Sequence, residues 1–194
     1  MQAMRHRRPI VGVIGSGEHE WAERAVPLGT WLATQNVHLL TGGGKGVMAS
    51  VSQAFFEVTA REGLVLAILP GREGDQQGGL PEGYPNPWVE VPIVTHLPYT
   101  GVRGQHPLSR NHIIVLSSTV LVALPGSEGT LSEIALALRY RRPIVAFCDH
   151  REEFPGLPAR IPIGKTLAEI QAFVRVRIRE LFGDTDDGAI RHEP

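Results

Sequence analysis

Short runs in which almost every residue is apolar alternate along the chain with longer stretches whose apolar residues recur every three to four positions. The first kind reads as buried strands, the second as amphipathic helices. Strands are expected at residues 9–15 (PIVGVIG), 37–41 (VHLLT), 64–70 (LVLAILP), 88–94 (WVEVPIV), 119–124 (TVLVAL) and 142–147 (RPIVAF). Helices are expected at residues 20–35, where Pro27 should kink or divide the element, and at 47–63, closed by Gly63. Others are expected at 108–118 with Ser109 as cap, directly after the fifth strand, and at 166–182. Residues 71–87 form a loop rich in proline and glycine.

Strands that are apolar on both faces need cover on both sides. Alternation with helices therefore predicts an α/β fold: a doubly wound, mostly parallel sheet with helices on both faces and right-handed crossovers. No internal repeat breaks the pattern. With 194 residues, a single domain over residues 1–182 is expected, followed by a frayed tail at 183–194.

Composition narrows the class. Apolar residues make up 42% of the chain and the formal net charge is -1. No basic surface run of the kind that tracks a nucleic-acid backbone is present; the basic clusters at residues 5–8 and 139–142 read as a polar lead-in and as dipole partners of a helix end. Nucleic acid is not an expected partner. No stretch reaches the ~18 apolar residues of a membrane span, and the start of the chain lacks the pattern of a signal peptide. The lone cysteine, Cys148, follows a buried run and excludes a disulfide within one chain. A cytoplasmic protein is the expectation.

Glycine marks the ends of several strands: GSGE after the first, GGGKG after the second, PGR after the third and PGSEGT after the fifth. In an open parallel sheet, ligands bind beyond the carboxyl ends of the strands. Glycine lets backbone N–H groups approach there, and a following helix N-terminus favours an anion. Several such corners on one edge point to a phosphate-bearing ligand. Neither corner is a familiar cradle. GSGEHE ends in Glu20 where a dinucleotide fingerprint needs glycine, and Lys45 is followed by Gly46 where a P-loop needs Ser or Thr. The only lysines, Lys45 and Lys165, lie in a loop and before a surface helix, which argues against a pyridoxal-phosphate enzyme. The histidines show no metal-ligand spacing, so no metal site is expected.

The motif PGSEGTLSE, residues 125–133, resembles the P-G-G-x-G-T-x-x-E signature of the LOG-like, or SLOG, superfamily of Rossmann-like proteins. VGVIGSG, LLTGGGKGVMASVSQA and AILPG are similar to that family's first three strand ends, and Arg110 stands fifteen positions before Pro125, as the family's arginine does. NPWVEVPIVT, followed by Arg110-Asn111, resembles the molybdenum-cofactor-carrier-like branch. The resemblance implies one of two roles. One is a phosphoribohydrolase that splits nucleoside 5'-monophosphates into free base and ribose 5-phosphate. The other is a non-catalytic carrier or sensor of a nucleotide or molybdenum cofactor. Neither role requires a cofactor for catalysis. A bound nucleotide or phosphate and a homo-oligomer, most simply a dimer, are also implied.

Under this resemblance Gly126, Ser127, Gly129 and Thr130 hold the phosphate, while Gly43, Gly44, Lys45 and Gly46 line the ribose-phosphate region. Ser16 and Gly17 border the base, Arg110 and Asn111 reach phosphate or ribose, and Arg110 and Glu133 are the catalytic pair. The chain departs from the signature in carrying Ser127 for a glycine, Glu128 beside it, and a longer loop at residues 95–110. Glu133 has a second reading: Thr130-Leu-Ser-Glu133 has the form of a capping box, with Thr130 as the helix cap and Glu133 reaching back to it. Both readings stand on the sequence. The helix from Val47 adds a ground for oligomerisation, because Val47, Met48, Val51, Ala54, Phe55 and Val58 give it a broad apolar surface.

Overall fold

The computed structural model describes residues 7–72, 74 and 79–182, so the tail expected at 183–194 lies outside the described residues. Seven parallel strands form one sheet: β1 (Ile10–Ile14), β2 (His38–Thr41), β3 (Val65–Leu69), β4 (Val91–Val94), β5 (Val120–Ala123), β6 (Ile144–Phe147) and β7 (Ile163–Gly164). Their order across the sheet is β4-β3-β2-β1-β5-β6-β7. The helices are α1 (Ala22–Ala33), α2 (Val47–Phe56), α3 (Asn111–Ser117), α4 (Glu128–Arg139) and α5 (Leu167–Phe182).

Period-two alternation sorts each strand's side chains between two cores. Val11 and Val13 of β1, with Val120 and Val122 of β5, pack with α1, α2 and α5. Ile14, Leu121 and Ala123 face the other way, onto Ile114 of α3 and Ile134 of α4. Strands β5 and β6 are buried at every position, as their unbroken apolar runs require. At the sheet edge, β4 is mostly exposed and tolerates Pro92, which has no N–H to give a further neighbour. The doubly wound α/β architecture expected from the sequence is present.

Local details differ. Pro27 does not divide α1, which runs unbroken from Ala22 to Ala33. Pro27 and Glu23 are both exposed, so the carbonyl that proline leaves without a partner faces water. Helix α2 stops at Phe56, well short of Gly63. Arg61 folds back there, its Nε donating to the Phe56 carbonyl (3.1 Å) and its Nη1 to the Gly63 carbonyl (2.7 Å). This side-chain cap ends the helix in place of glycine. The fourth strand is confined to Val91–Val94, and β7 was not foreseen. Among the described residues, no helix is long and apolar enough to cross a membrane.

Helix α1 lies directly on α2. Val47, Val51, Ala54 and Phe55 are buried within the chain, so the apolar face of α2 is no longer a ground for oligomerisation. The contact relies on Gly29, where an added Cβ would lie 2.5 Å from the Val51 carbonyl oxygen and 3.0 Å from Ala54 Cβ. Helix propensity alone would make Gly29→Ala stabilising by about 1 kcal/mol. We expect the opposite, a loss of roughly 1–3 kcal/mol from overpacking against fixed backbone. Urea unfolding of the variant checks this, and a gain in stability would show that the two helices separate freely.

Candidate functional site

The strand order reverses between β1 and β5, so the loops leaving their carboxyl ends diverge and open a crevice. Backbone contacts build its floor. The Ser16 N–H donates to the Pro125 carbonyl (3.2 Å), and the Ser16 carbonyl accepts from Val47 N–H (2.9 Å). The Ser16 hydroxyl accepts from the N–H groups of Glu18 (3.1 Å) and His19 (2.9 Å). Gly46 has φ +60, and a Cβ there would press on the backbone of Gly17 (2.8 Å) and Glu18 (2.9 Å). At Gly126 a Cβ would strike the Thr130 side chain and lie 2.9 Å from Ser16 N. The ends of β1, β2 and β5 therefore meet backbone to backbone. Above them lies a cavity of about 370 Å³ whose lining includes Ser16, Gly17, Trp21, Gly126 and Ser127.

Helix α4 starts at this floor. Ser127 is its N-cap, with extended backbone (φ -97, ψ -157) and no capping bond from its side chain. A serine therefore fits where the family signature has glycine. Leu131 N–H closes the first helical bond on the Ser127 carbonyl (3.1 Å). The N–H groups of Glu128, Gly129 and Thr130 precede any intrahelical acceptor and are free for an anion. Thr130 is not the cap, and Glu133 is not at the third helical position. The capping-box reading of Glu133 is thus overturned, because the helix begins three residues earlier than that motif requires.

One turn further in, Glu133 is only 8% exposed. Burial pushes its carboxyl from 4.5 up to about 7, against the opposing pull of the Arg110 charge. Arg110 is 5% exposed, so it is no surface arginine. Its Nη1 donates to the Ile68 carbonyl (3.0 Å) at the end of β3. A Cβ at Gly42 would lie 2.7 Å from Nη2, so that glycine makes room for the guanidinium. Arg110 Nε is buried without a hydrogen-bond partner among the described residues. Arg110 and Glu133 are brought within electrostatic reach of each other.

The other expected residues divide. Asn111 is buried, and its Nδ2 donates to Ser132 Oγ (3.0 Å), which donates in turn to the Gly129 carbonyl (2.7 Å). It braces the α4 turn through Ser132. Gly43 and Gly44 are held by Asn86, whose N–H donates to the Gly43 carbonyl (2.8 Å) and whose Nδ2 donates to that of Gly44 (2.9 Å). Lys45 is exposed beside them. The long loop at 95–110 packs over the first turn of α4: Gly104 abuts Ser132 and Asn111, and a Cβ at Gly129 would lie 3.5 Å from Gly101 Cα. Asn86, which sits between two prolines like any turn residue, and Ser132 were not foreseen. Among the described residues, no group of three or more His, Cys, Asp or Glu is placed to hold a metal ion.

Residues 8–160 match the model of the SLOG cluster4 family. A protein of Archaeoglobus fulgidus is 33% identical over 131 residues, 66% of this chain and 73% of that protein. The molybdenum cofactor binding protein of Rippkaea orientalis has a similar structure (TM-score 0.69, 31% identity), covering 91% of this chain and 99% of that one. So does the molybdenum cofactor carrier protein of Chlamydomonas reinhardtii (TM-score 0.66, 30% identity), covering 89% and 99%. The DNA processing protein A of Helicobacter pylori shares the fold at 14% identity, over 89% of this chain and 81% of that one (TM-score 0.60).

The raised carboxyl has a consequence for stability. A carboxyl whose folded pKa lies above its unfolded value favours folding most below the unfolded value, near 4.5, and loses that contribution as pH rises through about 7. Glu133→Gln, with nothing to ionise, should be more stable than the wild type above pH 7, by roughly 3 kcal/mol, and the gap should close towards pH 4.5. Urea unfolding at pH 5 and pH 8 measures it. An equal gap at both pH values would mean that Glu133 ionises as freely as in water.

Proposed function

The chain belongs to the SLOG cluster4 family, and on that premise we propose that it binds a phosphorylated nucleotide-like or cofactor molecule at the carboxyl edge of its sheet and acts as its carrier. One observation carries the reading: Gly126 and Ser127, the residues that lead into α4, line the cavity at the strand-order reversal, so the helix starts at the cavity wall. Two proteins similar over most of their length are a binding protein and a carrier of molybdenum cofactor, which agrees with this class of cargo. A phosphate-bearing cargo of either kind, nucleotide or pterin cofactor, would suit the same cradle.

The state of Glu133 favours holding over splitting. With a carboxyl near 7, the group is about half protonated at neutral pH before any ligand arrives. A phosphate dianion nearby raises it further, because like charges resist joint ionisation. The neutral acid is a hydrogen-bond donor and gives no anionic support to an oxocarbenium-like ribosyl centre. The buried Nε of Arg110, without a hydrogen-bond partner among the described residues, is a further donor that a ligand reaching this far in would satisfy.

The hydrolase reading has one specific observation in its favour: a carboxyl near 7 is poised for general acid–base work at neutral pH. Incubation with a panel of nucleoside 5'-monophosphates, assayed for free base and ribose 5-phosphate, separates the two readings. Homo-oligomerisation stays in the proposal, carried now by apolar side chains exposed on β4 and the loop after it: Ile93, Val94, Val102 and Leu108.

Inorganic phosphate should raise the melting temperature, because a ligand bound only by the native state stabilises it. Thr130→Val keeps the buried shape and removes the hydroxyl from the cradle. A charge-assisted hydrogen bond is worth roughly 1.5–3 kcal/mol, so phosphate should bind about tenfold or more weaker to this variant. A folded Thr130→Val with an unchanged phosphate response would place the cradle elsewhere.

A further inference from the structure

Trp21 is a large side chain in a backbone state it rarely adopts. Its φ is 45 and ψ 46, a left-handed conformation that costs a residue with a Cβ roughly 1–2 kcal/mol. It sits at the start of α1, where its carbonyl accepts from the N–H groups of Arg24 (2.9 Å) and Ala25 (2.8 Å). The ring is half-buried against the core on that face of the sheet, and it also lines the cavity above the phosphate turn. Strain of this kind persists only where the surroundings over-determine it, and it gathers at ligand clamps.

The surroundings are specific. The Arg24 guanidinium lies 5.1 Å from the Trp21 ring centroid. Arg24 is buried, and it is fixed by Asp149 Oδ2 (2.9 Å to Nη2) and Glu153 Oε2 (2.7 Å to Nη1). Glu153 is held in turn, its Oε1 accepting from the N–H groups of Asp149 and His150 (both 2.9 Å). A chain of contacts thus runs from the loop after β6, through Arg24, to the indole. The acidic pair holds the arginine, and the arginine holds the ring at the cavity wall.

We infer that Trp21 is the platform on which the flat heterocycle of the ligand stacks, while its phosphate occupies the turn at residues 126–130. One cavity joins the two, since Trp21, Gly126 and Ser127 all line it. Its volume falls near the lower end of ligand pockets, about 300–1,000 Å³. Stacking reads a π-face and not a hydrogen-bond pattern, so purine nucleotides and phosphorylated pterins share the required chemistry. Arg24 and Asp149 are positioning residues that act through Trp21, and Glu153, which also lines the cavity, holds Arg24 as well. This inference rests on the proposed phosphate site and adds the ring-binding half of it.

The test compares ribose 5-phosphate, AMP, GMP and a phosphorylated pterin on wild type, Trp21→Ala and Trp21→Phe by titration calorimetry, with melting curves to check folding. Ribose 5-phosphate has the phosphate and no ring. In the wild type at least one ring compound should bind more tightly than ribose 5-phosphate. Trp21→Ala should weaken that compound by roughly tenfold, the scale of a lost base–aromatic stack, and leave ribose 5-phosphate unchanged. Trp21→Phe should recover most of the loss. Whether the nucleotides or the pterin show the effect identifies the source of the ring. If ring compounds bind no better than ribose 5-phosphate, or if Trp21→Ala weakens all four alike or none, the platform is refuted while the phosphate site stands. If no phosphorylated compound binds the wild type, both are refuted.

Discussion

Three backbone segments meet at the point of strand-order reversal with no side chain between them, and the site depends on that closeness. Ser16 bonds to Pro125 on one side and to Val47 on the other, so the ends of β1, β5 and the start of α2 form one rigid floor. A side chain on Gly46 or Gly126 would force this floor apart. Because it holds, α4 starts close to Ser16, and its N-cap Ser127 shares a cavity with the loop after β1. Anion binding by backbone alone needs this preorganisation, since a flexible turn would have to be ordered by the ligand.

Electrostatics follow from the same placement. Starting α4 at Glu128 carries Glu133 a full turn inwards, out of reach of the helix end and into the interior near Arg110. There the carboxyl loses most of its water, and burial outweighs the guanidinium charge. Arg110 is also hydrogen-bonded to the Ile68 carbonyl, which holds it in place beside Glu133. The result is a buried carboxyl whose pKa is raised to about 7 within the helix that starts at the cavity.

The parts of this fold that were legible in the sequence are those decided locally. Strands β1, β2, β5 and β6 are apolar on both faces because both faces are covered, and the glycine corners mark where backbones approach. What stayed hidden was decided at a distance. The end of α2 is set by Arg61 folding back on Phe56, and β7 exists only because two residues pair with β6. The capping-box pattern at Thr130 does not form, since Ser127 takes the extended conformation that starts the helix three residues earlier and makes no side-chain cap bond. Asn86 and Arg24 are polar residues whose burial is created by segments far along the chain. Nothing in their immediate neighbours distinguishes them from solvated residues.

Amide NMR of the uniformly labelled protein, titrated with inorganic phosphate, tests the central claim most directly. The N–H signals of Glu128, Gly129 and Thr130 should move most and saturate together, with smaller changes at Ser16 and Gly126. Saturable shifts confined to the neighbourhood of Lys45 or of α5, with the first turn of α4 unmoved, would contradict a phosphate site at the start of α4.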